Sequence, residues 1–303
     1  MRLVTRGCLD GLACAALIDH AERLSGVSLA SPGDITDETF DVQPGDILAN
    51  LPYHNGCLKW FNHHSVTRSY ETPPHRFEGR YGLAPSTARL VYDYYLHDNP
   101  GFNFFDDLVN ETDRFHNAQL NIEDVTDPSG YVLLGFTLDP GAGTAGYEDY
   151  FALVLDTLRD GTLEELMMRE EVRERVRIVE EDRKRYLAAM RRVSRLEDRV
   201  IVSDLREAEA LPVGNRFLIY TLFPEATASL RIAWGPERES VVASAGHSLF
   251  NRNCSVHVGG LMSKYGGGGH KGAGATPLDR DSANEAIQEL IDKLNGSPVS
   301  ASP

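Results

Sequence analysis

The sequence has few cysteines and no long hydrophobic run. Its 303 residues include four cysteines, none of which lies in a CxxC pair. So few cysteines in a chain of this length argue against a disulfide framework, and their spacing argues against a zinc finger. No stretch approaches the roughly 20 apolar residues that span a bilayer, and the first residues lack the apolar core of a secretory signal. We therefore predict a cytoplasmic chain with no membrane partner.

Positive charge is also in short supply. Lysine and arginine total 30 against 45 aspartates and glutamates, which gives a formal net charge of −15. A surface of this sign repels a phosphate backbone, whose binding requires many basic contacts. The charge argues against long duplex nucleic acid as a partner, but it allows a small anionic ligand in a locally basic cleft.

The first half of the chain alternates short apolar strands with helices. A strand at 3–5 precedes a loop and a helix at 12–23, a second strand at 46–50 ends in another loop, and helices follow at about 85–97 and 104–118. This alternation predicts an α/β fold whose N-terminal domain, residues 1–146, has a largely parallel sheet flanked by helices. Such sheets bind ligands at the carboxyl ends of their strands, which is where the polar motifs of this sequence fall.

Residues 147–197 are rich in charge and favour helix. Apolar side chains recur within 172–193 at spacings of three, four and seven residues, which predicts a helical linker packed on one side. A short coiled coil that binds a partner, or that makes the chain a homodimer, is left open. Within this linker Thr162 and Glu165 form a capping-box pattern.

Residues 198–296 have the pattern of a smaller mixed α/β domain, and the polar tail 297–303 is predicted to be disordered. Five strands are predicted, at 200–205, 217–223, 226–234, 240–245 and 255–261. A closing helix at 282–294 carries one apolar face, and Ser282 and Glu285 form a second capping-box pattern at its start.

Four consecutive glycines are the strongest local signal in the sequence. The run consists of Gly266, Gly267, Gly268 and Gly269, followed by His270 and Lys271. Glycine loses more backbone freedom on folding than any other residue, so such a run indicates a special backbone geometry. Backbone amides without side chains can surround an anion, and His270 and Lys271 add donors and charge, so the run predicts a phosphate site. A flexible surface linker is the alternative, although Tyr, His and Lys flank the run rather than Ser and acidic residues.

Five motifs, in order along the chain, resemble those of the DHH/DHHA1 phosphoesterase superfamily. They are residues 4–11, similar to the first motif His-x-Asp-x-Asp-Gly; Asn50-Leu51-Pro52, similar to Asp-Leu-Pro; Asn62-His63-His64, similar to the DHH signature; residues 110–115, similar to the last metal motif; and the glycine run with its histidine, similar to GGGGH. The resemblance covers nearly the whole chain. It implies an N-terminal DHH domain that holds two Mn²⁺ or Mg²⁺ ions and a C-terminal DHHA1 domain that grips the substrate.

The residues at the first metal position depart from the family pattern. Arg6, Cys8 and Asn50 stand where the resemblance implies metal ligands. Arg6 cannot bind a cation and its charge opposes one, and Cys8 is a soft ligand poorly suited to Mn²⁺ or Mg²⁺. Asn50 cannot bridge two ions as a carboxylate does, and the signature's own Asp is Asn62. We therefore expect the first ion to be absent from this protein.

The residues at the second metal position are better preserved. By the resemblance, Asp10, His63 and Asp113 hold this ion. Two carboxylates and an imidazole suit one Mn²⁺ or Mg²⁺ ion. We expect one ion at most, or none.

The resemblance also implies roles for other polar residues. Asp10 and His63 would hold the ion that activates the nucleophile, while Arg6, His64 and His270 would neutralise the phosphate. An arginine can bind phosphate in place of an ion, but it cannot acidify water. Further candidates for phosphate binding are Arg114, Arg252, Lys271 and the glycine run.

These features predict hydrolysis of phosphodiester or phosphoanhydride bonds in a small phosphorylated ligand, namely a short oligonucleotide, a nucleotide or polyphosphate. Because one ion would have to act without a second, hydrolysis is expected to be slow. The alternative is a catalytically inactive module that binds a nucleotide or phosphate as a sensor or partner.

Overall fold

A computed structural model describes the chain over residues 1–63, 76–97, 99–138, 146–208 and 215–296. His64 and the predicted tail 297–303 lie outside these residues. Contacts divide the chain into two compact units, the first formed by Met1–Gln119 and Asp127–Val179 and the second by Leu120–Thr126 and Glu180–Pro303. The domain boundaries expected at 146 and 197 stay a prediction.

The first unit contains a sheet of five strands. They are β1 (Arg2–Thr5), β2 (Gly26–Leu29), β3 (Ile47–Ala49), β4 (Lys59–Asn62) and β5 (Glu78–Tyr81). The strands lie in the order β2-β1-β3-β4-β5, and each is parallel to its neighbours. Parallel neighbours need long crossover connections, which is why a helix follows β1 before the chain returns to form β2.

Helices account for much of the remaining chain. In chain order they are α1 (Leu9–Glu22), α2 (Pro32–Thr36), α3 (Thr87–Tyr95), α4 (Asp106–His116), α5 (Ile122–Thr126), α6 (Gly130–Thr137), α7 (Tyr147–Asp160), α8 (Leu163–Met167), α9 (Glu170–Val193), α10 (Ile219–Leu222), α11 (Val258–Ser263) and α12 (Ala283–Leu294). The boundary between the two units falls within α9. Thr162 and Glu165 form the predicted capping box at the start of α8, with hydrogen bonds of 3.2 and 2.9 Å.

The three central strands of the parallel sheet, β1, β3 and β4, are buried on both faces. Alternate side chains of one strand point to opposite faces. One face belongs to the main core of the unit and contributes Leu3, Ile47, Ala49 and Phe61. The other face belongs to a smaller cluster and contributes Val4, Leu48 and Trp60. Helix α1 is buried at every position from Leu9 to Asp19, which explains why apolar residues occupy most of its circumference rather than one stripe.

The second unit contains a mixed sheet of six strands. They are β6 (Ser194–Glu197), β7 (Val200–Asp204), β8 (Ala228–Trp234), β9 (Ser240–His247), β10 (Gly268–His270) and β11 (Ala273–Asp279). Their order is β10-β11-β9-β8-β7-β6, in which β7 and β8 are parallel and the other pairs are antiparallel. The apolar face of α12 packs in this unit's core. The predicted α/β class, with a parallel N-terminal sheet and a mixed C-terminal sheet, is confirmed.

Two segments predicted as strands are helical. Residues 217–223 form a 3-10 turn followed by α10, and the Asn215 side chain accepts a 2.9 Å hydrogen bond from the amide of Phe217 at its start. Residues 255–261 lead into α11, where His257 Nδ1 accepts a 2.9 Å bond from the amide of Gly260. Short apolar runs fit either a strand or a buried helix, and these capping side chains decide in favour of the helix.

The second predicted capping box is also wrong. Ser282 makes no side-chain cap bond to α12. Its amide and hydroxyl instead donate to the Asp279 carboxylate at 3.2 and 3.3 Å. Asp279, the last residue of β11, therefore accepts the hydrogen bonds of Ser282 in place of a capping bond to α12.

The apolar seam of the predicted linker is covered by the chain itself. Val172, Tyr186 and Met190 are all buried. A homodimer through this segment stays a prediction. Among the helices that the structure describes, none has both the length and the apolar character that a bilayer crossing requires.

Candidate active site

The predicted site residues of the first unit gather where three adjacent strands end. Arg6 and Cys8 follow β1, Asn50 follows β3, and His63 follows β4. Because these strands are parallel neighbours, their carboxyl ends lie along one edge of the sheet. The sequence placed the motifs correctly at strand ends, and the strand order brings them together.

Asn50 ties the loops of this edge to one another. It is fully buried and has a φ of 59°, a left-handed conformation that asparagine tolerates better than most residues. Its amide N–H donates a 3.0 Å hydrogen bond to the Phe61 carbonyl, and its side-chain amide donates to Cys8 Sγ at 3.5 Å. Asn50 stands where the resemblance implies a bridging carboxylate, and it thus binds Cys8, which stands at another of the implied ligand positions.

Asp10 is a buried carboxylate held by the start of helix α3. Its two oxygens accept hydrogen bonds from the backbone amides of Thr87 (3.1 Å) and Ala88 (2.8 Å), and its exposure is 2%. The positive end of the α3 dipole also lies at this point. These two hydrogen bonds fix the position and orientation of the buried carboxylate.

His63 lies beside Asp10 and is fixed by the same helix. Its Nδ1 is 2.7 Å from the Thr87 hydroxyl and 3.8 Å from Asp10 Oδ2. Burial lowers the pKa of His63 to about 4; the Asp10 carboxylate opposes this shift, whereas His116 and Arg6 add to it. The imidazole is therefore neutral at pH 7, which is the form that binds a metal ion.

His116, the last residue of α4, completes a group that the sequence did not predict. Its Nδ1 is 4.0 Å from Asp10 Oδ2, and its ring meets the His63 ring edge to face at 4.6 Å between centroids. Ligand atoms of Asp10, His63 and His116 all lie within 4.8 Å of one another. One carboxylate and two imidazoles are common ligands of a divalent metal ion, so these residues fit such an ion.

Asp113 is not part of this group in the structure. Its carboxylate accepts a 2.6 Å hydrogen bond from the Ser86 hydroxyl and pairs with the Arg89 guanidinium at 2.8–2.9 Å. Arg89 also donates a 2.7 Å bond to Asn110. The charge that the family pattern assigns to a metal is thus neutralised by an arginine, and a metal-ligand role for Asp113 stays a prediction.

Cys8 and Arg6 occupy the edge of the site. Burial raises the pKa of the Cys8 thiol, the Asp10 carboxylate adds to the rise, and Arg6 opposes it. A protonated thiol is a poor metal ligand. The positive charge of Arg6 lowers the pKa of both Cys8 and His63, so Arg6 lies close to both side chains.

The other predicted residues of this unit are less informative. Asn62 is buried at the end of β4. Arg114 Nε lies 3.6 Å from Oε1 of Glu111, which is one turn earlier on the same helix. His64 lies outside the described residues.

Part of the glycine run in the second unit is a strand and not the loop that its composition suggests. Gly268 and Gly269 belong to β10 and pair with β11. A Cβ on Gly267 would lie 2.1 Å from the Ala275 carbonyl oxygen, and Gly269 has a φ of +147°. The glycines therefore permit close packing of backbones, while a role in phosphate binding stays a prediction.

The basic residues that the sequence singles out in the second unit are exposed. They are His270, the last residue of β10, Lys271, in the turn that follows it, and Arg252, whose Nε donates to the Leu249 carbonyl at 3.0 Å. Exposed lysine and arginine side chains carry positive charge that attracts an anion from solvent.

Sequence reasoning missed His116 and Thr87. A signal for His116 was present, because it lies three residues after Asp113 and residues at that spacing share one face of a helix. Thr87 offers no comparable signal, since its role depends on where α3 begins relative to β4.

Comparison with known proteins gives matches among solved structures. No family model matches the sequence, and no curated protein matches it. The pGpG-specific phosphodiesterase PggH of Vibrio cholerae is 29% identical, with a TM-score of 0.82 over 98% of this chain and 99% of that one.

Two more distant structures share the fold. RecJ of Thermus thermophilus, in complex with Mn²⁺, is 15% identical, with a TM-score of 0.62 over 98% of this chain and 52% of RecJ. An exopolyphosphatase-related protein of Bacteroides fragilis is 12% identical, with a TM-score of 0.54 over 97% of this chain and 92% of that one. The two-sheet fold, the ordered motifs and the full-length similarity agree: the chain belongs to the DHH/DHHA1 phosphoesterase superfamily.

Proposed function

We propose that this protein is a phosphodiesterase that hydrolyses short linear dinucleotides, with pGpG as the first candidate substrate. The observation that carries the proposal is the similarity to the pGpG-specific enzyme over 98% of this chain. The group of Asp10, His63 and His116 supports it, because a phosphoesterase fold here offers ligands for a divalent ion. The net charge of −15 favours a short substrate over a long duplex.

In this proposal Asp10, His63 and His116 hold one divalent ion, Mn²⁺ or Mg²⁺. When bound, such an ion polarises a phosphoryl oxygen and lowers the pKa of the attacking water. The surrounding chain keeps the ligands in place: backbone amides at the start of α3 hold Asp10, and the Thr87 hydroxyl holds His63. Fixed ligands reduce the reorganisation that binding would otherwise require.

Arg6 is proposed to neutralise the phosphate in place of a second ion. Its charge already lowers the pKa of His63, so it acts on the same group. A guanidinium can donate two hydrogen bonds to a phosphate, but it has no means of ionising water. Hydrolysis is therefore expected to be slower than that of a two-ion enzyme.

The exposed basic residues of the second unit are proposed to bind phosphate groups of the ligand. His270 and Lys271 adjoin glycines whose backbone can approach an anion closely. Arg252 is proposed to act with them, and His64 and Arg114 remain candidates for the same role.

A substrate panel tests the proposed activity. The full chain is incubated with Mn²⁺ or Mg²⁺ and with pGpG, pApA, cyclic di-GMP or short-chain polyphosphate, and the products are separated by anion-exchange chromatography. We expect pGpG to be cleaved to GMP, and the cyclic dinucleotide and polyphosphate to be cleaved at least about tenfold more slowly, since binding contacts set such ratios. Turnover no greater than that of an Asp10→Asn variant on every substrate would remove the enzymatic proposal.

A binding module without activity is the second candidate function. Asn50 favours a binding module. It stands where the resemblance implies a carboxylate that bridges two ions, but its side chain is a neutral amide that donates to Cys8. Isothermal titration with pGpG separates the two candidates. Tight binding without any GMP release supports a sensor, whereas binding accompanied by GMP release supports the enzyme.

A further inference from the structure

We propose that the ion site is a single site built from two imidazoles and one carboxylate, with His116 as the third ligand, and that it selects a first-row transition ion such as Co²⁺ or Zn²⁺ over Mg²⁺. The inference rests on the proposed function only in placing an ion at this group. It narrows the expected Mn²⁺ or Mg²⁺ to a class of ions that favour nitrogen ligands. The transition ions include Mn²⁺, which binds most weakly among them.

Among the described residues, the group offers few oxygen ligands. Asp10 is the one carboxylate in the group within the described part of the chain. The nearby Asp113 is bound by Ser86 and Arg89, and Asn50 is neutral and bonded to Cys8. Mg²⁺ is held in proteins mainly by oxygen atoms and keeps much of its water, so a group with one carboxylate is poorly suited to it.

Most of the ligands in the group are nitrogen atoms. His63 and His116 contribute two imidazoles within 4.8 Å of Asp10. Imidazole favours zinc, cobalt, nickel and iron, and affinity for such sites rises from Mn²⁺ towards Cu²⁺ along the first row. His116 is also the last residue of an eleven-residue helix, whose negative dipole end favours a cation.

A neighbouring residue, Thr87, holds two of the ligands in place. Thr87 is fully buried, donates its amide to Asp10, and places its hydroxyl 2.7 Å from His63 Nδ1. Because Thr87 occupies Nδ1, we assign Nε2 of His63 as the atom that binds the ion. Metal-binding histidines usually have their other ring nitrogen held in this way, and loss of such a support costs about 10–100-fold in affinity. One residue therefore positions two of the three ligands, as a preformed metal site requires.

The positions of Arg6, Cys8 and Asn50 do not suit a second ion. Arg6 directly follows β1, at the same edge of the sheet as Asn50 and His63, and its guanidinium is a permanent positive charge. A second cation at the positions of Arg6, Cys8 and Asn50 would be repelled by this charge and would meet no carboxylate there. The site therefore takes one ion per chain.

Metal titration of the full chain, without any substrate, tests the inference. Co²⁺, Zn²⁺, Mn²⁺ and Mg²⁺ are titrated separately by calorimetry, and the visible absorption of bound Co²⁺ reports its ligands. We expect one Co²⁺ per chain and an affinity for Co²⁺ at least about 100-fold above that for Mg²⁺. Equal affinities, or two Co²⁺ ions per chain, would overturn the proposal.

Variants identify the ligands in the same titration. His116→Gln is expected to weaken Co²⁺ binding and alter its spectrum, and Thr87→Val is expected to weaken binding by about 10–100-fold. His20→Gln is the matched control, because His20 lies at the other end of α1 and packs against Phe102 and Phe105. Circular dichroism checks that each variant folds, and wild-type Co²⁺ affinity in folded His116→Gln would overturn the ligand assignment.

The outcomes also separate this inference from the proposed function. Selective Co²⁺ binding through His116 with no cleavage of any dinucleotide would leave the metal site standing and remove the activity. Cleavage of pGpG by a chain that binds Mg²⁺ as well as Co²⁺ would do the reverse.

Discussion

Replacement of Asp10 by asparagine is expected to remove metal binding and to lower kcat/KM for pGpG by a factor on the order of 10³. Asparagine keeps the shape of the side chain and can still accept one hydrogen bond from the start of α3. It removes the negative charge that two backbone amides now hold beside His63 and His116. Steady-state kinetics with Mn²⁺ and a Co²⁺ titration of the same preparation measure both effects.

Asp113→Asn is the matched control for this prediction. The family pattern assigns both aspartates to one ion, whereas the structure pairs Asp113 with Arg89. We expect Asp113→Asn to bind Co²⁺ nearly as well as the wild type and to lose about 1 kcal/mol of stability, since the ion pair is partly exposed. If Asp113→Asn abolishes metal binding while Asp10→Asn retains it, the assignment of Asp10, His63 and His116 is wrong.

The second large effect is expected from Gly11→Ala. A Cβ on Gly11 would lie 1.9 Å from the Arg6 carbonyl oxygen and 3.0 Å from Thr5 Oγ1. Because the obstacle is backbone, the loop that carries Arg6 and Cys8 must move away from α1. Forced overpacking of this kind costs about 1–3 kcal/mol, and occasionally more. The same displacement moves Asp10, so we expect weaker Co²⁺ binding as well as a lower free energy of unfolding.

Gly26→Ala provides the comparison for Gly11. A Cβ at Gly26 would meet nothing within 4 Å, and the residue lies in the edge strand β2. Urea unfolding should therefore give this variant a stability within about 0.5 kcal/mol of the wild type. Equal stability and equal Co²⁺ affinity for Gly11→Ala and Gly26→Ala would show that the close approach of α1 to the first loop is unimportant.

The sequence predicted those features that depend on local pattern. Apolar strands followed by polar residues predicted the parallel sheet, and the strand ends after Thr5, Ala49 and Asn62 carry the expected motifs. The family pattern added Asp10 and His63, which lie together in the structure. The prediction of the parallel sheet succeeded because alternating apolar strands and helices favour this fold, in which polar residues that directly follow the strands lie along one edge. The roles of Asp10 and His63 stay a prediction.

Contacts between distant segments could not be predicted in the same way. Arg89 neutralises Asp113 from 24 residues away, and Thr87 supports Asp10 from 77 residues away. The spacing of His116 from Asp113 predicts a shared helix face, but it does not predict that His116 rather than Asp113 joins Asp10 and His63. Strand propensity is a weak guide for short apolar runs such as 217–223 and 255–261. Asn215 caps the 3-10 turn that precedes α10, and His257 caps α11.

An anomalous difference map from a crystal of the full chain grown with Mn²⁺ tests the central claim, that one ion is held by Asp10, His63 and His116, most directly. We predict one strong manganese peak, in contact with those three side chains, and an Arg89 guanidinium that still pairs with Asp113. Two peaks near Asn50, or a single peak bound to Asp113 and remote from His116, would contradict the claim.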